Sequence, residues 1–472
     1  MRRYVVFGAV ALALLLSAID NSAVAVAFHA MVKEFTVPLV VVGWVLTAYQ
    51  LVQTIGMAVS GKISDALGAR RAFIIYTALF LTGSVLCSLS HNVYMLIGAR
   101  IIQALGGGGF MPCAAGIISS TFPEQRQRYI GLFSSIFPIG SIIGPNLGGW
   151  LVSSFGWRSI YWINVPLAII VLILARLLIP AFKGEGFKAG IDFTGAGLLL
   201  GTLTSFMLAL TEIGNNIGHI SWPYAGALLG LSAVLLVIFL RWESRAREPV
   251  IDLGLLKEKE FVAANIYNTV YGICALGIFS LIPLFAVTVY GMSTLESGAI
   301  LTPRSIGMMV ASTMTSFSLV KWGYRKPILA GTLTVVGGLS LIALQPHGIG
   351  IFGFHIGTIP ILLVLIGICG IGHGVCTPAA NNACIELMPD KVATITGLRG
   401  MFRNLGSTLG VAFATLMLSI IPDPKRGFYV VFFAPVALML IFLPTIWIMP
   451  ASPNVGPLKK AAPVPAEEAP GA

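Results

Sequence analysis

Apolar runs of about twenty residues recur along the whole chain, separated by short polar and basic loops. Each is long enough to cross a hydrocarbon core of roughly 30 Å as a helix. The pattern predicts fourteen spans, at approximately 5–28, 39–60, 71–90, 94–120, 129–153, 158–180, 192–213, 223–242, 261–289, 297–320, 327–345, 356–387, 396–420 and 428–449. Gly and Pro are frequent inside them, which membrane helices tolerate because neighbouring helices and water satisfy freed backbone groups. The expectation is an all-α polytopic protein of the lipid bilayer.

Composition excludes a soluble domain. Of 472 residues, 57% are hydrophobic and 10% charged, and the mean hydropathy is +0.91, whereas soluble domains carry about a quarter charged residues. The net charge of +11 does not point to nucleic acid, because the basic residues follow the spans. Arg2 and Arg3 precede the first span, and basic clusters follow every second one: Lys62, Arg70 and Arg71; Arg126 and Arg128; Lys183 and Lys188; Arg241 to Lys259; Lys321, Arg325 and Lys326; Lys391. Lys459 and Lys460 lie in the tail, and the alternate loops hold little beyond Lys33, Arg158, Lys425 and Arg426. This asymmetry places both termini in the cytoplasm of a multi-pass cell-membrane protein. Arg2-Arg3, an apolar run and Ala23-Val24-Ala25 also resemble a cleavable signal peptide, but cleavage would remove a helix that the orientation requires. The six cysteines all lie in apolar segments without metal-ligand spacing, which suits packing, so neither a metal nor a cofactor is expected.

The chain repeats itself. A shift of 266 residues places Gly106 on Gly372, Pro112 on Pro378, Pro123 on Pro389, Gly140-Ser141 on Gly406-Ser407 and Gly144 on Gly410, ungapped over about forty residues. A shift of 255 places Gly43 on Gly298, Gly68 on Gly323 and Arg70-Arg71 on Arg325-Lys326. Two related six-helix bundles, 1–182 and 259–450, are therefore expected, with two inserted transmembrane helices and their linkers over 183–258 and a disordered cytoplasmic tail over 451–472. Related halves that rock about a midplane site are the architecture of many secondary transporters. The copies agree at glycines and prolines and differ at charges: Arg100 falls on Ile366, and Asp65 on Val320.

Four segments carry candidate chemistry. The loop after the second span holds Gly61, Asp65, Gly68, Arg70 and Arg71, where a carboxylate and guanidiniums can latch helix ends by charge-assisted hydrogen bonds. Arg100-Ile-Ile-Gln103-Ala-Leu-Gly106 puts an arginine inside the fourth span; it either faces the bundle interior or snorkels to the interface. The glycines at 106–109 lack the following Lys-Ser/Thr and the preceding strand of a phosphate loop, and suit close helix packing. The fifth span carries Gly140, Gly144, Pro145, Gly148 and Gly149, a stripe for close helix approach with a proline that removes a hydrogen bond, suggesting a flexible gate. Asp20 is the acidic residue placed deep in a span. Desolvation favours its protonated form and a nearby cation its ionised form, so it suits a proton site; a static carboxylate satisfied by Arg100 is the alternative.

These residues resemble the fourteen-helix drug:proton antiporter family of the major facilitator superfamily, over essentially the full length. The loop from Gly61 to Arg71 is similar to the superfamily's cytoplasmic signature, Arg100–Gly106 to the fourth-helix motif linked to proton coupling, and Gly140–Gly149 to the fifth-helix motif of exporters. Trp44–Leu51 and Trp157–Pro166 resemble further hallmarks. The first-helix pattern departs at Ala25 and Phe28-His29, and the second half lacks a central carboxylate such as dication exporters often have.

The resemblance implies a non-enzymatic, proton-coupled antiporter exporting amphipathic or hydrophobic small molecules as a monomer, with Asp20 and Arg100 coupling the proton. Tyr49, Gln50, Gln53, Asn265, Asn268, Tyr271, Asn381 and Asn382 are polar residues expected to face a cavity, a mix of amides and aromatics suited to an amphipathic ligand. Export of an endogenous lipid or metabolite is the second reading, and a non-transporting receptor of the same fold the third.

Overall fold

The computed structural model describes residues 2–37, 39–180, 192–215, 221–246, 249–292, 294–346, 349–351 and 354–452. Lys183, Lys188, Arg247, Lys459, Lys460 and almost all of the expected tail lie outside the described residues.

In chain order the helices are α1 (Arg2–Ala23), α2 (Phe28–Phe35), α3 (Leu39–Leu67), α4 (Ala69–Ser88), α5 (Val93–Thr121), α6 (Arg126–Phe155) and α7 (Ser159–Leu178). The inserted pair follows as α8 (Phe193–Asn215) and α9 (Trp222–Glu243). The second half comprises α10 (Lys259–Gly272), α11 (Ile282–Tyr290), α12 (Thr294–Ala299), α13 (Thr302–Trp322), α14 (Arg325–Ala343), α15 (Thr358–Ile385), α16 (Val392–Ile420), α17 (Pro424–Ile441) and α18 (Thr445–Ile448). Between α14 and α15 a short antiparallel hairpin pairs β1 (Ile349–Ile351) with β2 (Phe354–Ile356), Ile349 opposite Ile356.

Twelve helical stretches among the described residues are long and apolar enough to cross a membrane, against the fourteen expected. The two expected spans outside that set fall on α13 and α16, of 21 and 29 residues. Arg304, Arg399, Arg403 and many Ser and Thr residues dilute their hydropathy. The expected span at 261–289 is one path of changing pitch: between α10 and α11 lie a π turn at Ile273–Gly277 and a tight turn at Ile278–Leu281. Such pitch changes favour functional positions. Here the bare backbones of Gly272 and Gly277 let α16 approach; a Cβ on Gly272 would lie 2.9 Å from the Arg403 carbonyl carbon.

Helix α3 packs on α16 and α6 on α13. Under the internal repeat α13 is the copy of α3 and α16 the copy of α6, so the two contacts are one contact seen twice. Equivalent turns agree as well: Gly68 (φ 86°) and Gly323 (φ 70°) both hold a backbone that side chains with a Cβ disfavour.

Candidate functional site

Asp20 lies inside α1, three residues from its end, and is fully buried. One carboxylate oxygen accepts from Arg100 of α5 at 2.6 Å. The other accepts from the side-chain amides of Gln103 at 3.1 Å and Asn164 of α7 at 2.6 Å. Arg100 also donates to Gln103 at 2.6 Å, and Gln103 donates to Ser84 of α4 at 2.9 Å. The guanidinium lies 3.9 Å over the Tyr49 ring, and Arg100 is as buried as Asp20. It therefore does not snorkel. The two opposite charges, held by helices distant in sequence, each have neutral hydrogen-bond partners that offset the cost of burial, although the second guanidinium nitrogen, Arg100 Nη2, is buried without one.

Between the halves runs a latch. Asp65, near the end of α3, accepts from both the backbone N–H (3.1 Å) and the hydroxyl (2.6 Å) of Thr394 in the first turn of α16. A helix N-terminus favours such an anion. Arg70 donates to the Arg176 carbonyl of α7 and Arg71 is exposed, so Asp65 and Arg70 each bond to the end of another helix and the contact between the halves falls to Asp65. Gly61 makes it possible: a Cβ there would sit 2.7 Å from Thr394 Cα. Alongside, Arg126 of α6 pairs with Glu386 at 2.8 Å, Tyr324 donates to Glu386 at 3.0 Å, and Asn382 donates to the Gln127 carbonyl at 3.0 Å. Further hydrogen bonds between the halves reach from this end as deep as Ser135–Ser312 and Asn404–Met57. Near the opposite end, Glu34 accepts from Trp157 and Arg158, each at 2.6 Å. Burial opposes its charge, but those two donors outweigh it and hold the carboxyl below its usual range.

Above the latch lies a cavity of about 360 Å³ between the halves. Of the residues expected there, Gln50, Gln53, Tyr271 and Asn381 line it. Four expectations are corrected. Tyr49 turns to Arg100, Asn265 bonds back to the Phe261 carbonyl, Asn268 bonds to the Ala264 carbonyl and the Cys384 thiol, and Asn382 belongs to the latch. The amide N–H groups of the three asparagines are engaged by helix backbone and neighbouring helices, while their side-chain oxygens are buried without a partner. Three residues that sequence reasoning passed over do line it: Arg304, Arg399 and Arg403. All three fall inside expected spans, and the argument from charge in a span that singled out Arg100 applies equally to them.

The sequence model of the Major Facilitator Superfamily matches residues 10–352 and 347–470. The chain belongs to that superfamily. It is 30% identical to the multidrug transporter protein MdtP of Bacillus subtilis (strain 168) over 422 residues, 88% of this chain and 74% of that protein. To multidrug resistance protein 3 of the same organism it is 31% identical over 426 residues, 89% and 80% of the two chains. It is 27% identical to the riboflavin transporter RibZ of Clostridioides difficile (strain 630), over 87% of each. The crystal structure of the human organic anion transporter MFSD10 (TETRAN) shares the fold, with a TM-score of 0.66 at 14% identity over 94% of this chain and 99% of that one. This is thus a multi-pass membrane protein of the major facilitator fold, and family and fold point to a transporter rather than an enzyme.

In this major facilitator chain the glycine stripe of α6 is the seat of α1. A Cβ at Gly144 would come within 3.0 Å of the Ile19 carbonyl oxygen and of Ser22 Cβ, and one at Gly148 within 2.9 Å of Ala23 Cβ. Ser22 donates to the Ala18 carbonyl at 2.8 Å and to the Gly140 carbonyl at 3.2 Å, tying the two helices. Helix α6 continues through Pro138 and Pro145. Gly149 has only Val26 nearby, at 3.9 Å. Gly144→Val is therefore expected to cost about 1–3 kcal/mol by overpacking and to displace the helix that carries Asp20, whereas Gly149→Ala leaves the protein as it is. Melting temperature and flux, measured on both variants, check this; equal behaviour of the two would refute it.

Proposed function

We propose that the chain is a proton-coupled antiporter that exports amphipathic or hydrophobic small molecules by alternating access. The observation that carries this reading is the sealed Asp20–Arg100 pair beside the cavity. Ser17, Ala18, Asn21 and Ser22, its neighbours on α1, form part of the cavity wall, while Asp20 points away into protein. A ligand or a proton that moves this wall changes the pair, and a change in the pair moves the wall.

The basic loops orient the latch end toward the cytoplasm, so the described conformation corresponds to the outward-facing state. In that state the ionised carboxylate is held by Arg100. Proton arrival at Asp20 removes the charge that Arg100 was paired with, loosens α1 from α5 and favours the return to the inward-facing state. There the proton leaves and substrate enters. Asp65, Glu386 and Arg126 hold the cytoplasmic side shut between turns. The multidrug names of the relatives support the substrate class, and the riboflavin transporter among them supports a metabolite as cargo, the second reading.

Purified protein in vesicles with an acidic lumen tests the proposal. A fluorescent amphipath is expected to accumulate as protons leave, and collapse of the gradient with an ionophore is expected to stop it. Accumulation indifferent to the gradient would refute proton coupling.

A further inference from the structure

The part of the cavity wall that the second half supplies carries three guanidiniums and no carboxylate: Arg304 from α13, and Arg399 and Arg403 one turn apart on α16. The whole cavity lining contains no Asp or Glu. The ion pairs Arg100–Asp20, Arg126–Glu386, Arg158–Glu34 and Arg426–Asp423 use other cations, and none among the described residues involves these three arginines. The Nε of each is buried and has no hydrogen-bond partner in the protein. Arg399 is only 3% exposed, and the groups around it and Arg403 are neutral, such as Tyr271 and Cys384. Arg304 has a cation–π contact with Phe279 at 4.6 Å and donates to the Ala275 carbonyl. Neither neighbour carries a negative charge.

A buried charge without a counter-charge is costly, and three of one sign in a single cavity also repel one another. Arginine is the residue suited to planar, bidentate contact with carboxylate, sulfonate or phosphate. The facing wall is uncharged and mixes polar side chains with aromatic ones. Phe110, Met111, Phe133 and Phe137 of the first half line it. The shift of 266 that superposes Gly140 on Gly406 also superposes Phe133 on Arg399 and Phe137 on Arg403. Equivalent positions of the two halves thus present aromatic rings on one side and guanidiniums on the other.

We infer that the cavity takes an amphipathic organic anion, its acidic group between Arg399, Arg403 and Arg304 and its apolar body against Phe110, Phe133 and Phe137. That this anion is the exported cargo rests on the antiporter reading; that it binds does not.

The test uses two xanthene dyes of similar body and opposite charge, fluorescein and rhodamine 123, with binding followed by fluorescence anisotropy to the full chain in nanodiscs of neutral phosphatidylcholine. Fluorescein is expected to bind at least about tenfold more tightly, in keeping with a charge-assisted contact. Arg399→Gln and Arg403→Gln are each expected to weaken fluorescein by about tenfold or more and to leave rhodamine 123 unchanged or improved, while Arg403→Lys retains part of the affinity. Both Gln variants should keep or raise the melting temperature, since each removes an unpaired buried charge. Equal or tighter binding of rhodamine 123 by the wild type overturns the proposal. So does a fall in melting temperature with unchanged dye preference, which marks the arginines as structural. Replacing the lipid by phosphatidylglycerol identifies the source of the anion: lost fluorescein binding assigns it to a lipid headgroup, retained binding to a soluble organic acid, and both outcomes support an anion site. Binding needs no gradient, so the two readings fail separately. Bound fluorescein that no gradient moves sinks antiport alone, and driven rhodamine 123 with no fluorescein binding sinks the anion site alone.

Discussion

Arg100→Ala is expected to destabilise the protein by about 3–5 kcal/mol, the cost of leaving a buried carboxylate without its cation, and to abolish gradient-driven flux. Among the described residues the other partners of Asp20 are neutral: Gln103 and Asn164 donate amide hydrogen bonds. The Tyr49 ring would also lose the guanidinium that lies over it. Asp20→Asn is expected to be milder in stability, because the amide keeps an oxygen for Arg100, yet equally complete in its effect on coupling. The informative variant is the double one. Asp20→Asn with Arg100→Met removes both charges and fills the space, so most of the lost stability should return, since the two sites are directly coupled. Flux should not return. Melting temperatures of the four proteins and their pH-driven flux, measured together, separate the structural from the coupling role. Restored flux in the double variant would show that the pair serves stability alone.

Gly61→Val is expected to leave the protein folded but to prop the latch open. The added carbon would fall 2.7 Å from Thr394 Cα and 2.9 Å from the Ala393 carbonyl carbon, both backbone atoms that cannot turn aside. The hydrogen bonds of Asp65 to Thr394 then cannot form. Those contacts bridge the halves rather than build either one, so the loss falls on the equilibrium between conformations. Hydrogen bonds to a charged group contribute about 1.5–3 kcal/mol, enough to reverse a modest preference for the closed latch. Spin labels at Glu124 and Asp390, exposed positions on either side, should move apart in the variant while transport is lost. The native cysteines are all buried and should take up little label. An unchanged distance distribution would remove the latch assignment.

The one-dimensional features of the fold were legible. Apolar runs marked the helices, and glycines and prolines recurring at fixed shifts marked the repeat, because backbone geometry constrains those residues wherever they occur. Asp20 and Arg100 stood out through the cost of charge in hydrocarbon. Pairings between distant helices were not legible. Asn164 reaches Asp20 across 144 positions, and Thr394 reaches Asp65 across 329, and no local pattern encodes either. Cavity lining was read half correctly because an amide inside a helix can turn back to its own backbone, as Asn265 does. The three cavity arginines were visible but were absorbed into helices whose general apolarity drew the eye.

The inserted pair makes the two seams between the halves unlike. Helix α8 packs against α9 and lies over both α3 and α16, covering one of the two equivalent seams between the halves and not the α6–α13 seam. The repeat made two matching side doors, and the insertion has boarded one of them. Seen from the hydrocarbon the protein therefore has a front and a back, the α6–α13 seam being the one that the pair leaves uncovered.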